Sequence, residues 1–317
     1  MVTRSAGHRI RDAILAANGK VGGSSVLTHV PQPLTRPFGS AEQLEHECVE
    51  AVAVGEPKAS PRGTGFLDGI QRYSVVGRFG LVPVVRGYVA AAVLGRRNEN
   101  LCVRHQVSEE FVATSIGRLS GEQLRELENT RLPLYDSGGD DREHPILDMH
   151  LAARVVEDRR ERAEQRVILS YLRDRPEGWL VVDGSIAPYL AEDGASRILG
   201  LIKSHETQFL EGEDLRTAMT LPVGHRSSVF ARRTNGRDKA YTWYLRLWPW
   251  DDRGLLHGLV RLELAPVDEA VVQASEISAW MLSERSPLSA PDSRWDRLIY
   301  PMRQVESYLR AQVGEWL

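Results

Sequence analysis

The first third of the chain is dominated by short apolar runs divided by glycines. Apolar blocks cover residues 66–76, 81–85 and 88–94, and single glycines separate or interrupt them. Short β-rich runs punctuated by glycine are typical of antiparallel strands joined by tight turns. The pattern therefore predicts an antiparallel meander over residues 66–94.

Further strands are predicted in the second half. Residues 178–182 form a continuous apolar run, which is typical of a strand buried on both faces. A short strand is predicted at 197–202. Aromatic residues are frequent in 241–247, and apolar and other residues alternate strictly in 258–264. This pair predicts a hairpin, because alternation is the signature of a half-buried strand.

Helices are predicted between these strands, with an irregular arm near the N-terminus. The predicted helices cover residues 4–18, 41–54, 107–130, Pro145 to about Arg173, 187–194, 267–283, and the final segment after Pro301. Residues 19–40 are rich in Gly, Pro and Ser, which predicts an irregular arm. The predicted organisation is an N-terminal helix and arm over 1–60 followed by one α/β domain over 61–317.

Composition and charge narrow the classes of function. The 317 residues are 42% hydrophobic and 26% charged, with a net charge of −3. No global positive field would attract nucleic acid, so any such contact must come from a local patch or a partner's surface. Two isolated cysteines suit a reducing compartment, and no apolar run reaches the roughly 20 residues of a membrane span. We predict a cytoplasmic protein that does not associate with membranes.

Two aspartates stand out because each follows an apolar run and precedes a glycine. They are Asp68 in Leu67-Asp68-Gly69 and Asp183 in Val182-Asp183-Gly184, and each is expected at a strand end. An ionised carboxylate is costly to bury alone and is usually paired with a cation or a metal. The alternative is that both Asp-Gly pairs are ordinary turns.

The order of the acidic residues adds a hypothesis about the fold. Asp68 is followed by the meander, then by a helix carrying Glu157, Glu161 and Glu164 on one face, and then by Asp183. This order resembles the ribonuclease-H-like class, in which such acids converge at one sheet edge. Carboxylates as the only ligands favour Mg²⁺ or Mn²⁺, and two such ions can clamp a phosphodiester.

Short motifs in a fixed order resemble the NurA nuclease family over about residues 64–312. They are Leu67-Asp68-Gly69, Arg162-Ala163-Glu164, Leu180 to Ser185, Leu199 to His205, Trp243 to Leu247, Gly258 to Glu263, and Ile299-Tyr300-Pro301 through Glu306. The first 60 residues lie outside the resemblance.

The resemblance implies a Mn²⁺- or Mg²⁺-dependent DNA endo- or exonuclease with a ribonuclease-H-like, PIWI-like mixed sheet flanked by helices. It also implies a homodimer that works with a HerA-type hexameric ATPase in DNA end resection or antiviral defence. On the matching motifs, Asp68, Glu164 and Asp183 would be catalytic metal ligands, with Glu161 as the alternative to Glu164. Lys203 would neutralise the scissile phosphate.

The sequence departs from the family pattern at two places. Asp68 is followed by Gly-Ile rather than Gly-Ser, and Glu306 lies in the stretch after Tyr300-Pro301 where many relatives carry a histidine. Glu306 is therefore either an additional ligand or base, or an exposed helix residue. Arg216 and Arg246 are candidates for DNA-backbone contacts, with a solvated face as the alternative.

Two other functions stay open at this point. The changed C-terminal motif allows a catalytically weak or inactive DNA- or partner-binding subunit of a helicase complex. An unrelated α/β enzyme would result if the Asp-Gly pairs were ordinary turns. The N-terminal arm is a hypothetical docking segment for the ATPase or for a second protomer.

Overall fold

The computed structural model describes residues 5–21, 26–27, 38–97, 100–139, 142–174, 177–234, 238–250, 254–286 and 299–313. Thirteen strands in these ranges form one mixed sheet. The strands are β1 (Val26–Leu27), β2 (Ser40–Gln43), β3 (Ala51–Ala53), β4 (Gly65–Phe79), β5 (Val82–Arg97), β6 (Asn100–Thr114), β7 (Leu134–Asp136), β8 (Leu180–Asp183), β9 (Ile198–Ile202), β10 (His225–Ser227), β11 (Phe230–Thr234), β12 (Asp238–Arg246) and β13 (Leu259–Leu264).

Helices lie on both faces of this sheet, which confirms the predicted α/β class with flanking helices. The α-helices are α1 (Ala6–Ala16), α2 (Gly121–Glu128), α3 (Pro145–Arg173), α4 (Gly212–Met219), α5 (Glu269–Glu284) and α6 (Tyr300–Gln312). Short 3₁₀ turns occur at Ile116–Arg118, Ala187–Tyr189 and Ala195–Arg197. Within the described ranges, none of the helices combines the length and apolarity needed to cross a bilayer.

Strand β8 lies in the middle of the sheet. The main strand order is β2-β11-β12-β13-β9-β8-β4-β5-β6-β7, with β1 pairing β4 and with β10 pairing β3 and β12. β8 is parallel to both of its neighbours, β4 and β9, whereas the β4–β5–β6 meander and the β12–β13 hairpin are antiparallel. The chain therefore brings the upstream and downstream candidate carboxylates to adjacent strands.

The two faces of the sheet are buried against different helices. Phe66 and Val181 pack on one face with apolar residues of α5 and α6. Their neighbours Leu67 and Val182 pack on the other face with α3. Successive side chains of a strand point to opposite faces. The unbroken apolar run before Asp183 follows directly, because both faces of β8 need apolar residues.

The described parts of residues 1–60 contribute to the same body. Helix α1 buries Ile10 and Ile14 against Val76 and Phe79 of β4 and against its neighbours. β1 pairs with β4, β2 with β11, and β3 with β10. Most of the predicted arm, residues 22–25 and 28–37, lies outside the described residues.

The predicted meander is confirmed, but two of its glycines are not turns. β4 and β5 are long strands, and the turn between them is at Gly80, whose φ is +59°. Gly77 follows a register shift in β4. Gly87 lies within β5, where an added Cβ would come 2.5 Å from the ring of Phe111. Gly77 therefore allows a β-bulge in β4, and Gly87 allows the ring of Phe111 to pack against the backbone of β5.

Three predicted helices are wrong in whole or in part. Residues 41–54 instead provide β2 and β3, and residues 107–114 belong to β6, so only α2 remains of the helix predicted over 107–130. The segment 187–194 holds a single 3₁₀ turn. The strands in these regions form because they pair with strands that are distant in sequence. Local propensity does not contain information on such pairing. The helices predicted from Pro145 to Arg173 and at 267–283 are confirmed.

Candidate carboxylate site at the end of β8

Asp183 and Asp68 lie beside each other in the sheet. Asp183 is the last residue of β8, and Gly184 then breaks the strand with a φ of +109°. The parallel register pairs Leu67 with Val182, so the next step along both strands places Asp68 next to Asp183. Neighbouring strands are about 4.8 Å apart. The structure thus joins two residues that are 115 positions apart in sequence.

Asp68 is not at a strand end, which corrects the prediction. It is the fourth residue of β4, and the strand continues because Asp68 and Gly69 pair with Ala92 and Ala91 of β5. On the opposite edge, the pairs of β4 with β8 stop at Leu67, and pairing resumes at Tyr73 with β1. Asp68 therefore borders a short notch in the sheet, which the end of β8 creates.

Lys203 completes an ion pair at this notch. β9 ends at Ile202, and its residue Leu201 pairs with Asp183, so Lys203 follows just beyond the strand end. Its Nζ lies 2.6 Å from Oδ2 of Asp183, with both side chains about one quarter exposed. The pKa of Lys203 is raised: burial opposes this shift, but attraction to Asp183 and then to Asp68 outweighs it.

Glu164 approaches the notch from the face covered by α3. An added Cβ at residue 69 would lie 2.8 Å from both Cγ and Cδ of Glu164, so this carboxylate rests against the bare backbone of Gly69. Arg160, one turn earlier on α3, holds Glu164 through Nη1 and Oε1 at 2.5 Å. The glycine after Asp68 thus serves close approach rather than a turn.

Two of the carboxyl groups, those of Asp68 and Glu164, have raised pKa values. Burial raises the pKa of Asp68 well above its usual value, and the charges of Asp183 and Glu164 add to this shift against attraction by Lys203. Burial also raises the pKa of Glu164, although Arg160 opposes it. Tyr189 has a raised pKa from burial and from the charge of Glu164. We call Asp68, Glu164, Asp183, Lys203 and Arg160 the carboxylate site.

The donor set fits a hard divalent cation in chemistry but is not assembled around one point. Carboxylate oxygens are the donors that Mg²⁺ and Mn²⁺ prefer, and Asp68 and Asp183 are adjacent. However, Asp68 shares the sheet face of Phe66, whereas Glu164 comes from the α3 face and is held by Arg160. Among the described residues, no group of three or more His, Cys, Asp or Glu is placed to hold a metal ion.

The alternative acidic candidates differ from Glu164 in their surroundings. Glu161 is 63% exposed and lies 3.8 Å from Arg160, so of the two glutamates only Glu164 is buried at the notch. Glu306 on α6 is close enough for its charge to raise the pKa of Lys203. It is also paired with Arg310 at 2.7 Å.

The two candidate DNA-binding arginines have opposite environments. Arg216 is exposed on α4 and paired with Glu213 at 2.8 Å. Arg246 is fully buried and donates to backbone carbonyl oxygens, among them those of Met219 and Leu255 at 2.6 and 2.9 Å. This position argues against the predicted DNA contact of Arg246, because its guanidinium is buried and hydrogen-bonded to backbone carbonyl groups.

A second buried charge cluster, which the sequence analysis missed, supports the turn after Asp183. Glu263 of β13 accepts from Arg232 Nε at 2.7 Å, from Arg261 Nη1 at 2.6 Å and from Ser185 Oγ at 2.8 Å. Arg232 Nη2 also donates to Ser185 Oγ at 2.8 Å. We call Glu263, Arg232, Arg261 and Ser185 the arginine cluster.

A cavity of about 670 Å³ lies at the other end of β8. Its walls include Tyr171 and Leu172 of α3, Gly178 and Leu180 at the start of β8, and Arg197. None of the carboxylate-site residues lines it. This cavity and the carboxylate site therefore lie at opposite ends of the same strand.

Comparisons with known proteins assign no family. No protein-family model matches the chain, and no curated protein matches it in sequence. Among solved structures, it is similar to the NurA nuclease from Sulfolobus solfataricus, with 12% identity, a TM-score of 0.42 and coverage of 88% of this chain and 89% of that one. It is also similar to the catalytic domain of human endonuclease V, with 13% identity, a TM-score of 0.32 and coverage of 79% and 81%. Likenesses at these values establish neither a family nor a function.

Proposed function

We propose that this protein is a Mn²⁺- or Mg²⁺-dependent DNA nuclease with a ribonuclease-H-like sheet. The observation that carries the proposal is the adjacency of Asp68 and Asp183 on parallel strands, with Lys203 2.6 Å from Asp183. Asp68 is a buried carboxyl group with a strongly raised pKa beside a cation, a combination that is characteristic of functional sites. It is hard to explain as a source of stability, because ionised Asp68 is buried at a cost.

In this proposal the residues have separate roles. Asp68 and Asp183 hold the divalent cation, and Glu164 joins them as the third ligand. The ion supplies Lewis acidity toward the phosphate and the leaving oxygen. Lys203 is a compact positive charge that offsets the negative charge developing on the phosphodiester. Glu306, whose charge raises the pKa of Lys203, is proposed as an additional ligand or base.

The experiment is a cleavage assay on linear duplex DNA with the full chain. We expect cleavage with Mn²⁺, none with EDTA, and loss of cleavage in Asp183→Asn. The matched control is Asp174→Asn, since Asp174 also ends a secondary-structure element and pairs with a basic side chain, His105, at 2.8 Å. Equal cleavage by Asp183→Asn and wild type would contradict the proposal.

The partners implied by the resemblance are part of the proposal. A net charge of −3 gives no general attraction for DNA. We propose that a HerA-type hexameric ATPase delivers the duplex to a homodimer of this chain, in end resection or antiviral defence. Cleavage of long linear duplex should then rise when the ATPase and ATP are added, and it should not rise with an ATPase unable to hydrolyse ATP.

A binding subunit without turnover is the second candidate. It is favoured by the ion pairs of Asp183 with Lys203 and of Glu164 with Arg160, which satisfy two of the three carboxylates internally. This candidate predicts DNA binding that Mn²⁺ leaves unchanged, and no cleavage with any divalent cation. The same assay therefore separates the two functions.

A further inference from the structure

Arg160 has an unusual position for an i, i+4 partner of a glutamate. Its Nη1 lies 2.5 Å from Oε1 of Glu164, its Nε donates to Oε1 of Gln71 at 3.2 Å, and its Nη2 lies 3.8 Å from Glu161. Gln71 belongs to β4 and lies at the notch, three residues after Asp68. The guanidinium thus bridges α3 and the open edge of β4.

The Arg160–Glu164 pair differs from an ordinary exposed ion pair on a helix surface. Exposed i, i+4 pairs contribute little to stability and stay solvated. Here the Glu164 side chain is only 10% exposed, whereas that of Arg160 is 27% exposed. The carboxylate is therefore the inner member of the pair and the guanidinium the outer member. Arg160 is thus the more accessible member of the pair to a ligand in solvent.

The charges of the site do not balance. Asp68, Glu164 and Asp183 provide three carboxylates, against two cations, Arg160 and Lys203. Within the site, each cation contacts one of these three carboxylates, and Asp68 accepts from the backbone N–H of Gly69 at 2.8 Å. A guanidinium that leaves a carboxylate needs another anion, and a phosphodiester offers two oxygens in the fork geometry that arginine matches.

We propose that Arg160 is a positioning residue that exchanges Glu164 for a nucleic-acid phosphate. Without nucleic acid, Arg160 holds Glu164 on the α3 side of the notch, apart from Asp68 and Asp183. When a phosphate of the DNA backbone arrives, the guanidinium binds it and Glu164 is released toward the aspartates. No covalent step is involved. The inference rests on the proposed nuclease function and adds a link between DNA binding and assembly of the cation site.

The exchange makes the affinities for cation and DNA interdependent. DNA relieves Glu164 of its internal partner, so bound DNA should tighten the binding of a divalent cation. By thermodynamic linkage, the cation should tighten the binding of DNA by the same factor. If the Arg160–Glu164 pair were fixed and only structural, DNA and the cation would not change each other's affinity through this pair.

The first test measures Mn²⁺ binding by electron paramagnetic resonance, with and without a phosphorothioate-protected duplex. In the wild type, we expect the duplex to tighten Mn²⁺ binding by about tenfold, within the usual range of coupling. Arg160→Gln should bind Mn²⁺ about tenfold more tightly without duplex, since Glu164 is free, and the duplex should then add little. Arg160→Lys keeps the charge but lacks the fork, so it should be intermediate.

The chain offers a matched control in Arg96→Gln. Arg96 is 29% exposed and pairs with Glu284, which is 10% exposed, at 2.6 Å. The N–O distance and the exposure of both side chains are close to those of Arg160 and Glu164, although this pair joins β5 to α5 rather than two turns of one helix. Arg96 is not one of the carboxylate-site residues. Arg96→Gln should bind Mn²⁺ and duplex as the wild type does.

The second test uses EDTA and therefore involves no metal. Fluorescence anisotropy with a labelled duplex should show weaker binding by Arg160→Gln and a salt dependence reduced by about one phosphate contact. If Arg160→Gln fails to fold, as judged by circular dichroism, Arg160→Lys carries both tests.

The outcomes separate this inference from the proposed function. If the wild type binds Mn²⁺ and cleaves DNA but Arg160→Gln behaves like Arg96→Gln in both tests, the exchange is overturned and the nuclease proposal stands. If the wild type neither binds Mn²⁺ nor cleaves DNA, the nuclease proposal falls. Unchanged duplex binding by Arg160→Gln in EDTA overturns the phosphate contact in either case.

Discussion

The two buried charge clusters on either side of the turn after Asp183 are opposites. The carboxylate site holds three carboxylates and two cations, and burial together with mutual repulsion raises the pKa of Asp68. The arginine cluster holds two guanidinium groups and one carboxylate. The charges of Arg261 and Arg232 lower the pKa of Glu263 to about 2, against the effect of burial. One cluster is short of positive charge, and the other is rich in it.

The difference indicates which cluster is structural. Each oxygen of Glu263 accepts at least two hydrogen bonds, and Glu263 is fully buried, so its ionised form belongs to the folded state. Ionised Asp68 is buried among other acids and would be relieved by a further cation. A charge that the fold leaves uncompensated is a candidate for function, because stability alone would not retain it.

The largest effect is expected from breaking the arginine cluster. Glu263→Gln leaves Arg232 and Arg261 buried without a counter-charge, which should lower the free energy of unfolding by about 3–5 kcal/mol. Denaturant unfolding followed by circular dichroism measures it. Glu284→Gln is the control, since its partner Arg96 is 29% exposed, and it should cost clearly less. Equal losses in the two variants would contradict a structural role for the cluster.

The next largest effect is expected in the carboxylate site, where Glu164 packs closely against the backbone of Gly69. Gly69→Ala places a methyl group 2.8 Å from Cγ and Cδ of Glu164, so the glutamate must move. We expect a loss of about 1–3 kcal/mol in unfolding free energy, as for other overpacked sites, together with loss of DNA cleavage. Gly117→Ala is the control, because an added Cβ there meets nothing within 4 Å. Full activity in Gly69→Ala would remove Glu164 from the proposed site.

The sequence predicts the carboxylate site better than it predicts the arginine cluster. The buried strand before Asp183 and the helix from Pro145 to Arg173 follow from local apolar patterns and a helix-starting proline. Asp68 and Asp183 were recognisable because each ends an apolar run. Arg160 carried a usable signal, its spacing of four residues from Glu164, which indicates a pair on one helix face.

The arginine cluster had no local signal. Glu263 is 31 residues from Arg232 and 78 from Ser185, and only the sheet order brings them together. The same limit explains residues 107–114 of β6, which the sequence pattern predicts as part of a helix. Its exposed, charged residues do not reveal that Phe111 and Ala113 pack inward beside β5. Contacts between distant strands are a property of the topology, and propensity does not encode it.

A smaller effect of opposite sign is expected at Asp68. Asp68→Asn removes a buried charge, so at pH 7 it should raise the free energy of unfolding by about 0.5–2 kcal/mol while abolishing cleavage. Because the folded-state pKa of Asp68 is raised, its stabilising contribution is present below the unfolded value of 3.8 and is lost as pH rises through the folded value. The advantage of Asp68→Asn should therefore vanish in acid and grow as pH rises.

The pH profile of Glu263 should run the other way. Its pKa is lowered from 4.5 to about 2, so its stabilising contribution is present above 4.5 and is lost as pH falls toward 2. The deficit of Glu263→Gln relative to the wild type should shrink across that window. Unfolding midpoints of both variants between pH 2 and pH 7 measure the two slopes, and slopes of the same sign would contradict the contrast between the clusters.

The smallest effect is expected at Arg216, which has neither kind of environment. Arg216 and Glu213 are 72% and 75% exposed, so water screens the pair, and Arg216→Gln should change the unfolding free energy by less than about 0.5 kcal/mol. If Arg216 contacts the DNA backbone as predicted, the same variant should still weaken duplex binding and reduce its salt dependence by about one phosphate. Glu213→Gln is the control, because it removes the same ion pair but keeps the arginine, and it should bind DNA at least as well as the wild type. Equal anisotropy curves for Arg216→Gln and Glu213→Gln would assign Arg216 to the solvated surface and remove it from the proposed DNA contacts.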